Sequence, residues 1–430
     1  MITAESLVNN NTTVYDFNYT TVNKDQLLDR VQYWKDYFTQ RNVKTLNVQY
    51  YQGVNSIAIM LACLEKSITI YTCNYSKDKI DNTLPNVDLS IIGYSKKEMH
   101  NPSDPTSVLV CDNLLFNYKS KKYVAEQIDN NATLFTDGIK TYSVREFITA
   151  AMVGKSLFSI GQNVATIQYI SHFETSAIWL MSPVMAGTNI YACGHVIDLS
   201  SLLYKGLVDV VCLYPMHLQT LYQIEKGVNT DSPFGLSSFR FELNNCVFVL
   251  TGVLPSPHIC DWAKTRGASL IRNVFVHELV PCFISDITNE MVRLKLDTPV
   301  TGIQYQVNNS NELLVNIENI DNNNKGWHNT KNFVEVVNGT LFLKGNKKIN
   351  NRYVLDVQDF ICGIVADNDI GKLDFALECV DNCLTVKSFR QYVHNKFVSV
   401  QDTLTMELLN FSHVANVQYD YVDKSQIWKI

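Results

Sequence analysis

The chain has 430 residues, of which 46% are hydrophobic and 18% charged, the balance of a globular protein and not of a disordered one. Its 36 basic and 42 acidic residues leave a net charge of −6 with no basic tract, so the electrostatic footprint of a nucleic-acid binder is missing. The length exceeds what one compact core usually holds, which predicts at least two structural units.

The opening residues, Met1-Ile2-Thr3-Ala4-Glu5, lack the basic start and apolar run of a signal peptide. No stretch reaches the ~18 uninterrupted apolar residues of a membrane span. These features predict a cytoplasmic protein with no membrane partner. The first amphipathic helix is read over Lys24–Thr39, where Leu27, Leu28, Val31, Trp34 and Phe38 fall at helical spacing. Thr45–Tyr50 alternates like a strand, Asn55–Leu64 reads as a helix, and Ile68–Thr72 is a short β-branched run. Leu89–Ile92 and Ser107–Val110 continue the pattern. Strands alternating with helices predict a mainly parallel sheet covered on both faces.

Thr133–Thr136 reads as a strand that breaks at Asp137-Gly138, and a helix is expected over Val144–Phe158. Strands are then expected at Ala165–Ile170, Asn189–Ala192, Val208–Leu213 and Cys246–Leu250, with a shorter one over Ser269–Ile271 ending at Arg272-Asn273. From about Ile284 alternating segments dominate, among them Val292–Leu296 and Leu313–Ile317, which predicts a small β-rich subdomain. After Thr340–Leu343 the composition turns polar at Lys344-Gly345, and the rest of the chain is long enough for a small α+β domain.

The eleven cysteines are scattered and contain no Cys-x-x-Cys pair, which reads as reduced thiols in a cytosolic protein. Histidines at zinc-ligand spacing are absent from their neighbourhood. Runs such as Asn9-Asn10-Asn11 and Asn322-Asn323-Asn324 favour turns. As composition they also fit an AT-rich genome such as a phage's. A Gly-x-Ser-x-Gly elbow, a Walker loop, a dinucleotide fingerprint and a His-Glu-x-x-His helix are all missing.

Several segments, in order, carry a family likeness. Ile57–Ile70 (IAIMLACLEKSITI) is a helix followed by a short strand. Leu134–Gly138 leads into Ile139-Lys140, and Val210–Leu221 (VVCLYPMHLQTL) is a strand, a proline and a helix. Further on come Val249–Pro255 (VLTGVLP), Asn273–Glu278 (NVFVHE), Gly326–Asn332 (GWHNTKN) and Thr340–Lys348 (TLFLKGNKK). This succession resembles the adenylate-forming superfamily of acyl-CoA synthetases, nonribosomal peptide synthetase adenylation domains and luciferases. The resemblance implies an α/β fold. Two α/β subdomains and a small β-rich subdomain (about 285–345) would form a large N-terminal region over 1–345. A small α+β C-terminal domain would follow over 346–430.

The family activates a carboxylate with ATP as an acyl-adenylate, and the resemblance places its site at numbered positions here. The segment Thr136-Asp137-Gly138-Ile139-Lys140 stands at the Ser/Thr/Gly-rich phosphate loop, Gly252 at a Gly-Gly strand end, and His172 at the acyl pocket. Phe275, His277 and Glu278 stand in the aromatic-Gly-x-Thr-Glu motif, where the glutamate would hold Mg²⁺. Asn332 takes the place of the aspartate that binds the ribose, Asn346 that of a hinge arginine, and Gln426 that of the C-terminal catalytic lysine.

The departures from the pattern concern the chemistry. A phosphate nest needs several glycines so that backbone N–H groups can approach an anion, and Gly138 is the loop's only one. Phe275 replaces a glycine and His277 a threonine. An amide at Asn332 accepts without the charge that strengthens such bonds. Losing one preorganised contact, as at Gln426, typically costs on the order of 100- to 1000-fold. Lys424 and Lys429 flank Gln426. A two-residue shift, however, moves a charge by about 7 Å, where positioning tolerates about 1 Å.

Glu278 also reads as a strand-end carboxylate kept for local hydrogen bonding, and Lys140 as a solvated lysine after a turn. His172 reads equally as a structural histidine. The expectation is a protein that has kept the fold and lost carboxylate activation. It would need no cofactor and would serve with protein partners as a binding or assembly component, in a host cytoplasm or a virion if viral. The alternative is a divergent ligase that uses ATP, Mg²⁺ and a carboxylate through Glu278 and a displaced lysine, Lys424 or Lys429.

Overall fold

The computed structural model describes residues 2–15, 21–49, 54–71, 87–92, 108–110, 121–136, 140–167, 173–193, 196–226, 240–243, 245–252, 254–288, 294–317, 326–367 and 370–422. Two α/β sheets organise the large N-terminal region. The six-stranded sheet runs in the order Val108–Val110, Leu89–Ile92, Thr45–Gln49, Thr69–Tyr71, Thr133–Thr136 and Thr141–Ser143, and only its last pair is antiparallel. In the nine-stranded sheet six central strands are parallel, and the strands at its edges are antiparallel.

The helices start where local chemistry favours a start. Asn23 accepts from the Gln26 amide at 3.0 Å and Gln26 answers on the Asn23 amide, a reciprocal cap that opens the helix Lys24–Gln40. Ser143 and Glu146 do the same for Val144–Gly154. That helix stops earlier than the expected Phe158 and gives way to a short 3₁₀ turn over Lys155–Leu157. Gly154 lies against the neighbouring helix, and a Cβ there would stand 2.5 Å from Ser182 Oγ.

The strand expected to end at Ile271 runs instead over Leu270–His277. Arg272 and Asn273 stay in register because the strand is paired on both sides, with Val247–Thr251 in parallel and with Val280–Asp286 antiparallel. The strand expected over Ala165–Ile170 begins two residues earlier and runs over Asn163–Thr166; 168–170 lie outside the described residues. A five-stranded antiparallel sheet follows between Lys295 and Gly345.

Beyond it, three helices and the strands Phe375–Val380, Cys383–Ser388 and Asn416–Tyr421 enclose a separate apolar core around Val357, Ile361, Phe375, Val386 and Phe397. The fold is therefore a large α/β N-terminal region followed by a small α+β domain. Among the described residues no helix is long and apolar enough to cross a membrane.

Candidate functional site

A cavity of about 470 Å³ opens where the nine-stranded sheet, the five-stranded sheet and the C-terminal domain meet. Its floor is built from strand ends. Val247–Thr251 ends at Thr251, whose hydroxyl donates to the Val274 carbonyl at 2.8 Å. Gly252 follows in a left-handed conformation (φ 100°) with open space where a Cβ would sit, so the backbone turns away and leaves the cavity clear. On the neighbouring strand Asn273 is 1% exposed and its Oδ1 has no hydrogen-bond partner. A buried orphan acceptor of this kind is costly unless a donor meets it. Phe275 leans on Phe283 with ring centroids 6.3 Å apart, so its ring forms a wall and does not plug the space.

The other walls come from the five-stranded sheet and the C-terminal domain. Asn332 turns its Nδ2 onto the Thr330 carbonyl at 2.9 Å, which leaves Oδ1 as its acceptor. Gly345, at φ 92°, allows the C-terminal helix Val354–Val365 to come close; a Cβ there would lie 2.6 Å from Val354 Cγ1. The junction is held by Lys344, which pairs with Glu335 at 2.8 Å on one side and with Asp356 at 2.9 Å on the other. Burial works against the Lys344 charge, but the hydrogen bonds it donates to Glu335 and Asp356 outweigh that and hold the ammonium above its ordinary value. Gln358 and Lys372 complete the C-terminal side of the cavity.

The residues singled out in the sequence divide into three groups. Gly252, Phe275, Asn332 and Asn346 come together on the cavity wall. Thr136, Lys140, His277 and Glu278 lie outside the residues that line it. Thr136 is buried in the six-stranded sheet, paired with Tyr71 and Thr141. Glu278 does not end a strand. It occupies the tight turn between Leu270–His277 and Val280–Asp286, exposed and left-handed at φ 55°.

His277, next to it, feels the charges of Glu278, His328 and Lys140; burial holds its imidazole below the ordinary value, and Glu278 opposes that shift. Gly138, His172, Lys424, Gln426 and Lys429 lie outside the described residues. Reading by motif missed Asn273, although it stands in the quoted NVFVHE segment. It also missed Lys372, whose segment carries no motif and reaches the cavity only through domain docking.

No family model and no curated protein sequence matches the chain. Solved structures do match it. The coronafacic acid ligase of Pectobacterium brasiliense superposes with a TM-score of 0.61 at 12% identity, over 98% of this chain and 94% of that one. The fold is that of the adenylate-forming synthetases. McyG A-PCP, solved in complex with phenylalanyl-adenylate, gives a TM-score of 0.67 at 14% identity over 98% of this chain and 78% of that one. A Mycobacterium tuberculosis fatty acyl CoA synthetase gives 0.61 at 13% identity over 94% and 89%. The synthetase fold thus spans both parts of the chain, although the sequences have diverged far.

Proposed function

We propose that this protein is a synthetase-shaped binder that holds a small adenylate-like ligand in the cavity between its two parts and has lost carboxylate activation. One observation carries the reading: Gly252, Asn273, Phe275 and Asn332 share a cavity of about 470 Å³, while Lys140 and Glu278 lie outside its lining. The volume is in the range of small-molecule sites, and the walls combine apolar side chains with a few polar groups, as such sites do.

The residues fit a nucleoside. Phe275 offers a ring face, and Asn332 Oδ1 would accept from a ribose hydroxyl. They do not fit a magnesium ion. No aspartate or glutamate is among the described residues lining the cavity, and a hard cation needs carboxylate or similar oxygen ligands.

A second reading, an ATP-dependent carboxylate ligase, is favoured by Lys372, which brings a cation to the cavity wall. Thermal melting in AMP and ATP, run beside ATP–pyrophosphate exchange over a panel of carboxylates, tests both. Binding is expected to stabilise the fold, by about 2.7 kcal/mol at a hundred times Kd, with exchange at background. Exchange above background that is lost in Lys372→Ala would favour the ligase. No stabilisation by any of the ligands would overturn both readings.

A further inference from the structure

Among the described residues lining the cavity, Lys372 is the one charged side chain. It opens a single 3₁₀ turn, Lys372–Asp374, ahead of the strand Phe375–Val380, and that turn is docked firmly on the N-terminal region. Gly371 lies so close to Ser256 that a Cβ would collide with the serine hydroxyl. The Gly371 amide donates to Asp374 Oδ2 at 2.8 Å. Asp374 Oδ1 in turn accepts from Gln219 of the N-terminal region at 3.1 Å and pairs with Arg390 at 2.8 Å. The Lys372 side chain is 15% exposed, and its Nζ lies 2.5 Å from Asp359 Oδ1. Asp359, 39% exposed, is not part of the cavity lining.

An ammonium has three donors. Asp359 takes one, which leaves donors for a group inside the cavity. We propose that Lys372 holds the anionic group of the cavity's ligand, a carboxylate or a phosphate, while the amide-bearing and apolar walls take its uncharged body. This assignment rests on the reading that the cavity is a ligand site.

Three observations support it. The charge sits on a wall shared with Leu254, Leu294, Leu343 and Leu355, where a low local dielectric strengthens a pairing. The counter-ion is half in water and replaceable: burial holds the Asp359 carboxyl above its ordinary value, against the pull of Lys372. And Asn332 on the same lining, its Nδ2 tied to the Thr330 carbonyl, keeps Oδ1 as an acceptor for a donor on the same ligand. The ligand class is therefore an amphiphile with an anion at one point and an N–H or O–H at another.

Calorimetric titration of the full chain with two matched pairs tests this. AMP against adenosine isolates a phosphate, and benzoate against benzyl alcohol isolates a carboxylate. In the wild type the anionic member of at least one pair is expected to bind more tightly by about tenfold. Lys372→Gln should abolish most of that preference and leave the neutral member unchanged, and Lys372→Arg should keep part of it. Asp359→Asn, which removes the competing carboxylate, should tighten the anion several-fold, an effect that a purely structural ion pair would not produce.

Equal binding within both pairs overturns the assignment but leaves the ligand site standing, as does a preference that survives Lys372→Gln. Weaker anion binding in Asp359→Asn also counts against it. Failure of the wild type to bind any of the four probes overturns the ligand-site reading itself.

Discussion

Two of the molecule's lysine–carboxylate pairs, at Lys35 and at Lys372, stand in opposite settings. Lys35 and Glu65 are both 0% exposed and 2.7 Å apart. Lys35 also reaches the Val124 carbonyl at 2.7 Å and Glu126 at 3.0 Å. Glu65 Oε1 accepts from the Ala4 amide at 2.8 Å and from the Tyr123 hydroxyl. Every charge in that knot is spent on the chain itself, tying the short helix Ala4–Leu7, the helices Lys24–Gln40 and Val54–Lys66 and the segment at 123–126 together. Lys372 has one half-exposed partner and a cavity in front of it. An ion pair is structural when its partners close the circuit, and a candidate for binding when they leave it open.

The first way to break this contrast is Lys35→Met. It strands Glu65 as a buried charge, which typically costs about 3–5 kcal/mol, and chemical denaturation would read that loss; a change near zero would mean the knot is not holding the fold. Gly345→Ala comes next. The new methyl meets Val354 at 2.6 Å on a φ of 92°, so a loss of about 1–3 kcal/mol is expected. It should also weaken cavity ligands, because the C-terminal wall moves.

Asn273→Leu sharpens the comparison from the other side. Removing an unpartnered buried oxygen should leave stability within about 1 kcal/mol of the wild type in chemical denaturation. A large stability loss would show that Asn273 is structural after all.

The smallest expected effect concerns pH. Burial holds His277 below its ordinary value of 6.5, so the folded state takes up its proton later than the unfolded chain as pH falls. Stability is then present above pH 6.5 and declines as the pH drops toward the folded value. His277→Gln should flatten that part of a stability–pH curve. An unchanged slope would place the titration elsewhere.

Much of the fold was legible because periodicity and caps are local. The spacing of Leu27, Val31, Trp34 and Phe38, with Asn23 and Gln26 ahead of them, specifies a helix without help from distant residues. The full length of Leu270–His277 was not legible, because its continuation past Arg272 depends on partners on both flanks.

The site followed the same rule. Gly252, Phe275, Asn332 and Asn346 were found through motif order, and they share a cavity. Glu278 stood in the right segment, but a tight hairpin turn carries it away from the cavity lining. Lys372 could not be read at all, since only the contact of Gly371 with Ser256 and the hydrogen bond from Gln219 to Asp374 bring it there.

The most direct measurement is a crystal structure of the full chain with AMP. The nucleoside is expected between Gly252, Phe275 and Asn332, with the phosphate within hydrogen-bond distance of Lys372 Nζ. AMP bound instead outside the cavity beside Lys140 and His277, or found nowhere in crystals soaked well above the Kd measured in solution, would contradict it.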